Sequence, residues 1–298
     1  MRPQGFIPAT FSLTARAVGQ DNTVLLLGVS PSLARRERRL AHRQAEQLGL
    51  TVVEVATHEL ENPSYSANPV DRCYFCKDEL FTRLDARVVD ELGAPLILVN
   101  NAGRPLFRKF LDITVEQWHG VLDVNLTAAF QMGQAVARRM MQRGRGKIIN
   151  ISSLNAELAR TNIGNYSASK GGLKMLTRNI CAEYGANNIQ CNGIGPGYIA
   201  TPQTAPLREK QPDGSPHPFD GFLRARTPAG RWGTPEDLVG PAVFLASSAS
   251  DLPVRAISAT RCRPVRMPSP VVAYLVMMTC PDCSPPRDRP CSPSASST

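Results

Sequence analysis

The chain has 298 residues, of which 42% are hydrophobic, and a formal net charge of +9. That length suits one large domain or two modest ones, with apolar side chains enough for a sizeable core. The positive excess is uneven: residues 252–298 hold six Arg, no Lys and two Asp, a surplus of +4, and no basic stripe with interleaved aromatics argues for a nucleic-acid partner.

Residues 1–21 carry no readable pattern and lack the unbroken apolar core of a secretory signal. Residues 24–30 then read as a buried strand, with Ser32 placed to cap the helix that follows. That helix, about residues 34–48, sets Leu40, Ala41, Ala45 and Leu48 on one face. Gly49 ends it, and residues 51–56 alternate as a second strand. Strand, helix, strand implies a parallel pair.

The next stretch runs from His58 through Cys73-Tyr-Phe-Cys76-Lys77. With Val29-Ser-Pro-Ser-Leu33, it resembles the ATP-dependent sacrificial sulfur transferases of the PP-loop superfamily over residues 22–85. That family's Ser-Gly-Gly-x-Asp-Ser phosphate loop is absent, as is its later sulfur-donating half. Cys73 and Cys76 therefore read as idle thiols of an inherited fragment. Cys280 and Cys283 form a second pair in unrelated surroundings, and no metal site is expected from the two pairs together. Cys181 and Cys191 lie in periodic apolar segments and read as small core residues.

At about residue 86 the character changes. Leu96-Ile-Leu-Val-Asn100-Asn101-Ala102-Gly103 is an apolar strand ending in two amides and two small residues, a surface that another group can approach closely. Thr114-Val-Glu-Gln117 is a capping-box pattern opening a long helix to about Arg143. Asn125 lies inside it, a poor helix-interior residue whose presence suggests a further task. Residues 147–153 form a second apolar strand ending at Ser153. The following helix carries Tyr166 and Lys170 and runs to about Tyr184. Four residues apart, those two side chains share one face, so an ammonium sits beside a phenol. A free phenol has a pKa of about 10. A neighbouring cation is expected to draw it down into acid/base range. Residues 189–194 form a third strand leading to Pro196, Gly197, Ile199 and Thr201. Thr234-Pro-Glu-Asp237 starts a last helix, with Pro at its first position and acids in its first turn, reaching about Ser247.

The ordered set Asn100-Asn-Ala-Gly103, Asn125, Ser153, Tyr166-x-x-x-Lys170 and Asn192-x-x-x-Pro196-Gly197-x-x-x-Thr201 resembles the short-chain dehydrogenase/reductase family over residues 86–250. Glu157-Leu-Ala-Arg160, Gly-Leu-Lys-Met-Leu-Thr177 and Arg-Thr-Pro-Ala-Gly-Arg-Trp-Gly233 are most similar to its gluconate 5-dehydrogenases. The resemblance implies an α/β fold, a three-layer Rossmann-like parallel sheet with helices on both faces. It implies an NAD or NADP cofactor and a sugar acid interconverted with its keto form. Tyr166 would be the general acid in ketone reduction and the base in alcohol oxidation. Lys170 would lower its pKa and bind the nicotinamide ribose. Ser153 would orient the reacting oxygen, and Asn125 would hold a water relaying protons to Lys170. Asn101, Ala102 and Gly103 would line the cofactor, with Pro196, Gly197, Ile199 and Thr201 at its nicotinamide end. A homo-tetramer would form through the helices beginning near Thr114 and Ser167.

Two departures qualify that expectation. The family's Thr-Gly-x-x-x-Gly-x-Gly turn, whose glycines let a backbone approach the pyrophosphate, has no counterpart in Gly28-Val-Ser-Pro. After Asp251 the family's final strand and Val-Asp-Gly-Gly ending are replaced by a Pro-, Arg-, Ser- and Cys-rich tail, read as disordered by composition. Its longest apolar run, residues 271–278, is far short of a membrane span. A shifted reading frame near Asp251 would account for the tail, and the coding DNA tests that. The expected organisation is residues 1–21 unassigned, 22–85 a sulfur-transferase-like fragment, 86–250 the catalytic region and 251–298 a tail. The sheet is expected to be incomplete in its first half and to lack the last strand. The expected function is a cytoplasmic sugar-acid oxidoreductase with impaired turnover. The alternatives are an inactive fusion or truncated product, or a sulfur-transfer fragment.

Overall fold

The computed structural model describes residues 20, 24–29, 35–47, 49–58, 83, 86–87 and 96–251. Ser32, the Cys73–Cys76 and Cys280–Cys283 pairs and the tail after Asp251 lie outside the described residues.

The first unit is the expected strand, helix, strand. Strands β1 (Val24–Val29) and β2 (Thr51–Ala56) pair in parallel, Val24 opposite Thr51 and Val29 opposite Ala56, with α1 (Arg35–Gln47) between them in sequence. Ala41 and Ala45, one turn apart, bring α1 close to the sheet and bury Leu25, Leu27 and Leu50 with them. Arg38 and His42, also one turn apart, both reach Glu54 on β2, with Arg38 Nε 2.6 Å and His42 Nε2 2.7 Å from Glu54 Oε1. The hydrogen bond from Arg38 holds the Glu54 carboxyl down to about 2.

The second sheet has three parallel strands in the order β3 (Ile97–Asn100), β4 (Gly146–Ile151) and β5 (Ile189–Ile194). Near-continuous apolar strands are what a parallel sheet buried on both faces requires. One face presents Leu98, Ile148, Ile189 and Cys191 to Ala128, Met132, Val136 and Met140 of α3 (Ala128–Arg143), with Ile180, Cys181 and Tyr184 of α4 (Gly164–Tyr184) packed alongside. The other presents Ile97, Ile149 and Ile194 to Leu238, Ala242, Leu245 and Ala246, most of them on α6 (Val239–Ala246). Helices cover both faces, as the three-layer expectation has it. Cys191 is buried in this core and its thiol is pushed up to about 12 by burial, so it packs as a small apolar residue. Among the described residues no ladder bond joins the two sheets, but Leu26 of β1 packs against the core that contains Leu98 and Ile148.

The helix expected to run unbroken from Thr114 to Arg143 is interrupted. Thr114 caps α2 (Val115–Leu122) with the full capping box to Gln117. Asp123–Thr127 then makes one wide turn, in which the Ala128 N–H reaches back to the Asp123 carbonyl, and α3 continues from it. The extra residue in that turn rotates Asn125 inward, where it is 1% exposed. Gly144, at φ 66°, ends α3 in the left-handed region and donates to the Met140 and Met141 carbonyls. The helix expected from Thr234 divides likewise, into a single turn at Pro235–Leu238 and then α6. At the end of the described chain, the buried Lys147 of β4 donates to Asp251 Oδ1 at 2.7 Å and Ser250 Oγ at 3.0 Å.

Met140 is fully buried at the centre of the core between α3 and the sheet. Met140→Ala is expected to cost about 2–5 kcal/mol in a urea denaturation, the range for a buried cavity of that size. A loss under ~1 kcal/mol would show that the site collapses onto the gap.

Candidate active site

The carboxyl ends of β3, β4 and β5 lie side by side, which in a parallel α/β sheet is where a crevice forms. Asn100 and Asn150, opposite each other in the register, are joined by a 2.8 Å bond from Asn100 Nδ2 to Asn150 Oδ1. Asn150 Nδ2 in turn donates to Thr177 Oγ1 of α4 at 2.8 Å. This amide ladder fixes the strand ends against α4 beneath the site. Beyond the strands, Ser152 N–H donates to the Ile194 carbonyl and Leu154 N–H to the Pro196 carbonyl, at 2.7 and 2.9 Å. Ser153 and Pro196 are thereby held on neighbouring segments.

Lys170 points from α4 to the end of β4, where its ammonium donates to the Ile151 carbonyl at 2.6 Å. It is 3% exposed and has no carboxylate partner among the described residues, so burial draws it down to about 8. The ammonium stands 5.9 Å from the centre of the Tyr166 ring. Tyr166 itself departs from expectation. Its phenol is raised above the usual value, first by burial, with a hydrogen bond from Ser153 pulling the other way. Desolvation of the phenolate outweighs any help from an ammonium already turned towards a carbonyl. Tyr166 in this state holds its proton.

The loop after β3 closes on the same point. A side chain at Gly103 would put its first carbon 3.3 Å from Lys170 Nζ and 3.6 Å from Asn125 Oδ1, so only the bare backbone fits without crowding. Asn125 holds that loop: Oδ1 accepts from Arg104 N–H at 2.8 Å, and Nδ2 donates to the Arg104 carbonyl at 3.1 Å and to Ser169 Oγ at 2.9 Å. Both amide hydrogens are committed, leaving one lone pair of Oδ1 for a water. Ser153 Oγ also accepts from Asn155 N–H at 3.1 Å, so it caps the turn at Leu154–Ala156 as well as facing Tyr166. Asn101 and Ala102 are half-buried beside Gly103.

Pro196 to Thr201 lies along the rim. Ile199 is bridged to Gly233, with Ala200 N–H donating to the Gly233 carbonyl at 2.8 Å, and Gly197 is exposed. The Thr201 carbonyl accepts from Arg208 Nη2 at 2.9 Å. The structure thus brings together Ser153 and Tyr166, and Gly103, Asn125 and Lys170, with Pro196 tied to the Ser153 turn.

The structure adds residues that the motif reading did not assign to the site. Ser169, in the middle of Tyr-Ser-Ala-Ser-Lys, links Asn125 to the Tyr166 carbonyl. Tyr198, on the far side of Tyr166, meets Phe219 of α5 (Pro218–Arg226) and Trp232 edge to face at 5.3 and 5.9 Å. Arg160 sits over this group. Of these, Arg160 and Trp232 left a sequence signal, as parts of Glu157-Leu-Ala-Arg160 and Arg-Thr-Pro-Ala-Gly-Arg-Trp-Gly233. The close approach of Gly103 to Lys170, with Tyr166 on the same helix, fits the ribose and nicotinamide end of a dinucleotide. The turn that would meet its phosphates, residues 30–34, lies outside the described residues. Among the described residues, no cluster of His, Cys, Asp and Glu could hold a metal ion, and no helix is long and apolar enough to cross a membrane.

Comparison with known proteins supports this fold. The family profile described as Enoyl-(Acyl carrier protein) reductase matches residues 28–253. A 2-dehydro-3-deoxy-D-gluconate 5-dehydrogenase from Formosa agariphila is 48% identical over 166 residues, covering 56% of this chain and 61% of that protein. A 5-keto-D-gluconate 5-reductase from Escherichia coli K12 is 47% identical over 161 residues, covering 54% of this chain and 61% of that protein. The chain thus spans about three-fifths of the length of these curated relatives. Among solved structures, a gluconate 5-dehydrogenase from Burkholderia cenocepacia in complex with NADP and tartrate superimposes with a TM-score of 0.62 at 33% identity, covering 83% of this chain and 86% of that one. With its parallel sheet, its buried Lys170 one turn from a half-buried Tyr166, and a matching profile over most of its length, the chain belongs to the short-chain dehydrogenase/reductase family.

Proposed function

We propose that the chain is an NAD(P)-dependent oxidoreductase that interconverts a sugar acid of the gluconate type with its keto form. The observation that carries this reading is the pairing of the Tyr166 and Ser153 hydroxyls beside a buried Lys170 that Gly103 approaches bare-backboned. Relatives named for gluconate and keto-gluconate support the substrate class, and one was solved with NADP and a hydroxy acid. Residues 86–250 form the catalytic region in this reading, since every site residue falls there.

Asn101, Ala102, Gly103 and Lys170 would hold the ribose and nicotinamide end of the cofactor, with Pro196, Gly197, Ile199 and Thr201 closing the rim. The bound dinucleotide supplies the hydride. Ser153 and Tyr166 hold the ketone oxygen between two hydroxyls. Tyr166, kept protonated by burial, donates its proton as that oxygen gains electron density. Lys170 stabilises the phenolate left behind, a role needing its charge. Asn125 keeps Gly103 against Lys170, and a relay water would use its remaining lone pair. Exposed Val115, Phe130, Met141 and Met175 on α2, α3 and α4 support assembly with further copies of the chain into a homo-tetramer.

The absence of the Gly-rich turn from the sequence after β1 favours weak cofactor binding, and with it slow turnover. NADH- or NADPH-dependent reduction of 5-keto-D-gluconate is expected to be very weak, with a correspondingly small change in nicotinamide fluorescence on titration. Robust turnover abolished by Tyr166→Phe would establish the site and refute the weak-binding expectation. No fluorescence change at any concentration would favour the second reading, a chain that keeps the site without catalysing. Where activity is measurable, Tyr166→Phe should lower it by about 100-fold or more without altering cofactor binding.

Lys170 also makes a stability prediction. Its folded value of about 8 lies below the unfolded value of 10.5, so between those limits the unfolded chain binds more protons. Stability from this group should therefore rise with pH from about 8 to 10.5. Denaturation of wild type and Lys170→Met across that range should shift the difference in favour of the wild type by roughly 3 kcal/mol. A flat difference would show that Lys170 is solvated. Over the same pH rise the reductase rate should fall as the ammonium is lost.

A further inference from the structure

We propose that Arg160, assisted by Arg208, is the anchor for the carboxylate of the sugar acid, and so sets a preference for acids over uncharged polyols. The inference rests on the oxidoreductase reading for its choice of substrate class.

Arg160 precedes Tyr166 by six residues and extends over a bed of aromatic rings. Its guanidinium carbon lies 4.5 Å from the ring centre of Phe219, 5.7 Å from Tyr198 and 5.9 Å from Phe107. Nη1 donates to the Tyr198 hydroxyl at 3.2 Å. This holds a planar fork of donors in place and partly out of water. The neighbouring Arg224 and Arg231 are paired with Asp220 and Asp237, but Arg160 makes no ion pair among the described residues.

Arg208 supplies an independent observation. It lies against the same cluster, 5.7 Å from the Trp232 ring centre, and Nη2 is satisfied by the Thr201 carbonyl. Its Nε is buried and has no hydrogen-bond partner among the described residues. A buried donor left unpaired is destabilising, and a ligand oxygen or a water would relieve it. Trp232 is fixed in turn by its own 2.6 Å bond to Asp220 Oδ1. The charge is therefore placed on a rigid platform rather than a flexible stem.

The location relates this cation to the chemistry. Tyr198 accepts from Arg160 and lies two residues after Pro196, whose carbonyl accepts from the Leu154 N–H beside Ser153 at 2.9 Å. Arg160 is thus tied to the segment that borders the Ser153 turn. A linear acid with its carbonyl at Tyr166 and Ser153 would turn its far end towards this guanidinium. Carboxylates match the fork bidentately, whereas a terminal hydroxyl would leave the charge uncompensated. The plain alternative is that Arg160 only rivets the aromatic cluster together, in which case its loss would affect every ligand alike.

The test is calorimetric titration of the full chain with D-gluconate and with its uncharged analogue D-glucitol. Arg160→Met should weaken gluconate binding by about 10- to 100-fold and leave glucitol unchanged, with Arg160→Lys intermediate. Arg208→Gln, which leaves the Arg160 stack intact, should reduce gluconate binding by a smaller factor and serves if Arg160→Met does not fold. Equal losses for both ligands, no change, or a wild type that binds acid and polyol alike would each overturn the proposal. An Arg160-dependent preference for gluconate in a chain that reduces no ketone would overturn the oxidoreductase reading while sustaining the anchor. Reduction of ketones without that preference would do the reverse.

Discussion

The site is organised by one buried charge. Lys170 has left water on a helix whose other buried residues are Asn165, Ser169, Leu173 and Thr177, and it is compensated by a main-chain carbonyl at the end of β4. A cation in that position is tolerable only if the backbone around it is held to close limits. Asn125 pins the loop after β3, the Asn100–Asn150–Thr177 ladder pins the strand ends, and Gly103 leaves the space. Each of these is a polar group satisfied inside the protein, the condition under which buried polar networks rigidify rather than weaken a fold.

The same economy explains the wide turn at Asp123–Thr127. An uninterrupted helix would leave Asn125 on its ordinary face. One additional residue in the turn aims its amide at Arg104 and Ser169, and the lost regularity is offset by three hydrogen bonds. Opposite this network stands a different kind of construction. Tyr198, Phe219 and Trp232 form an aromatic wall bearing Arg160 and Arg208, with the Asp220 carboxylate bonded to Trp232 at its edge.

Local pattern carried much of this. Apolar runs marked β1 to β5 within a residue or two, and the capping signals at Thr114 and Thr234 were legible because a cap is made by residues three apart. The Tyr166–Lys170 spacing placed both groups on one helix because four residues make one turn. It did not place their electrostatics. The phenol was expected to fall and instead rises, since burial depends on what the rest of the chain packs above it. Trp232 stood in a quoted motif, but its meeting with Tyr198 and Phe219 was illegible, the three being gathered from segments that share no spacing.

The sequence by itself determined the parallel α/β architecture, the one-turn spacing of Tyr166 and Lys170 and the family, because those follow from short periods and ordered motifs. Only the tertiary structure decided the protonation tendency of Tyr166 and Lys170, the inward turn of Asn125 and the meeting of Arg160 with its aromatic platform. Those depend on desolvation and on contacts between residues up to some sixty positions apart, such as Arg160 and Phe219. Neither quantity is written in any local stretch of chain.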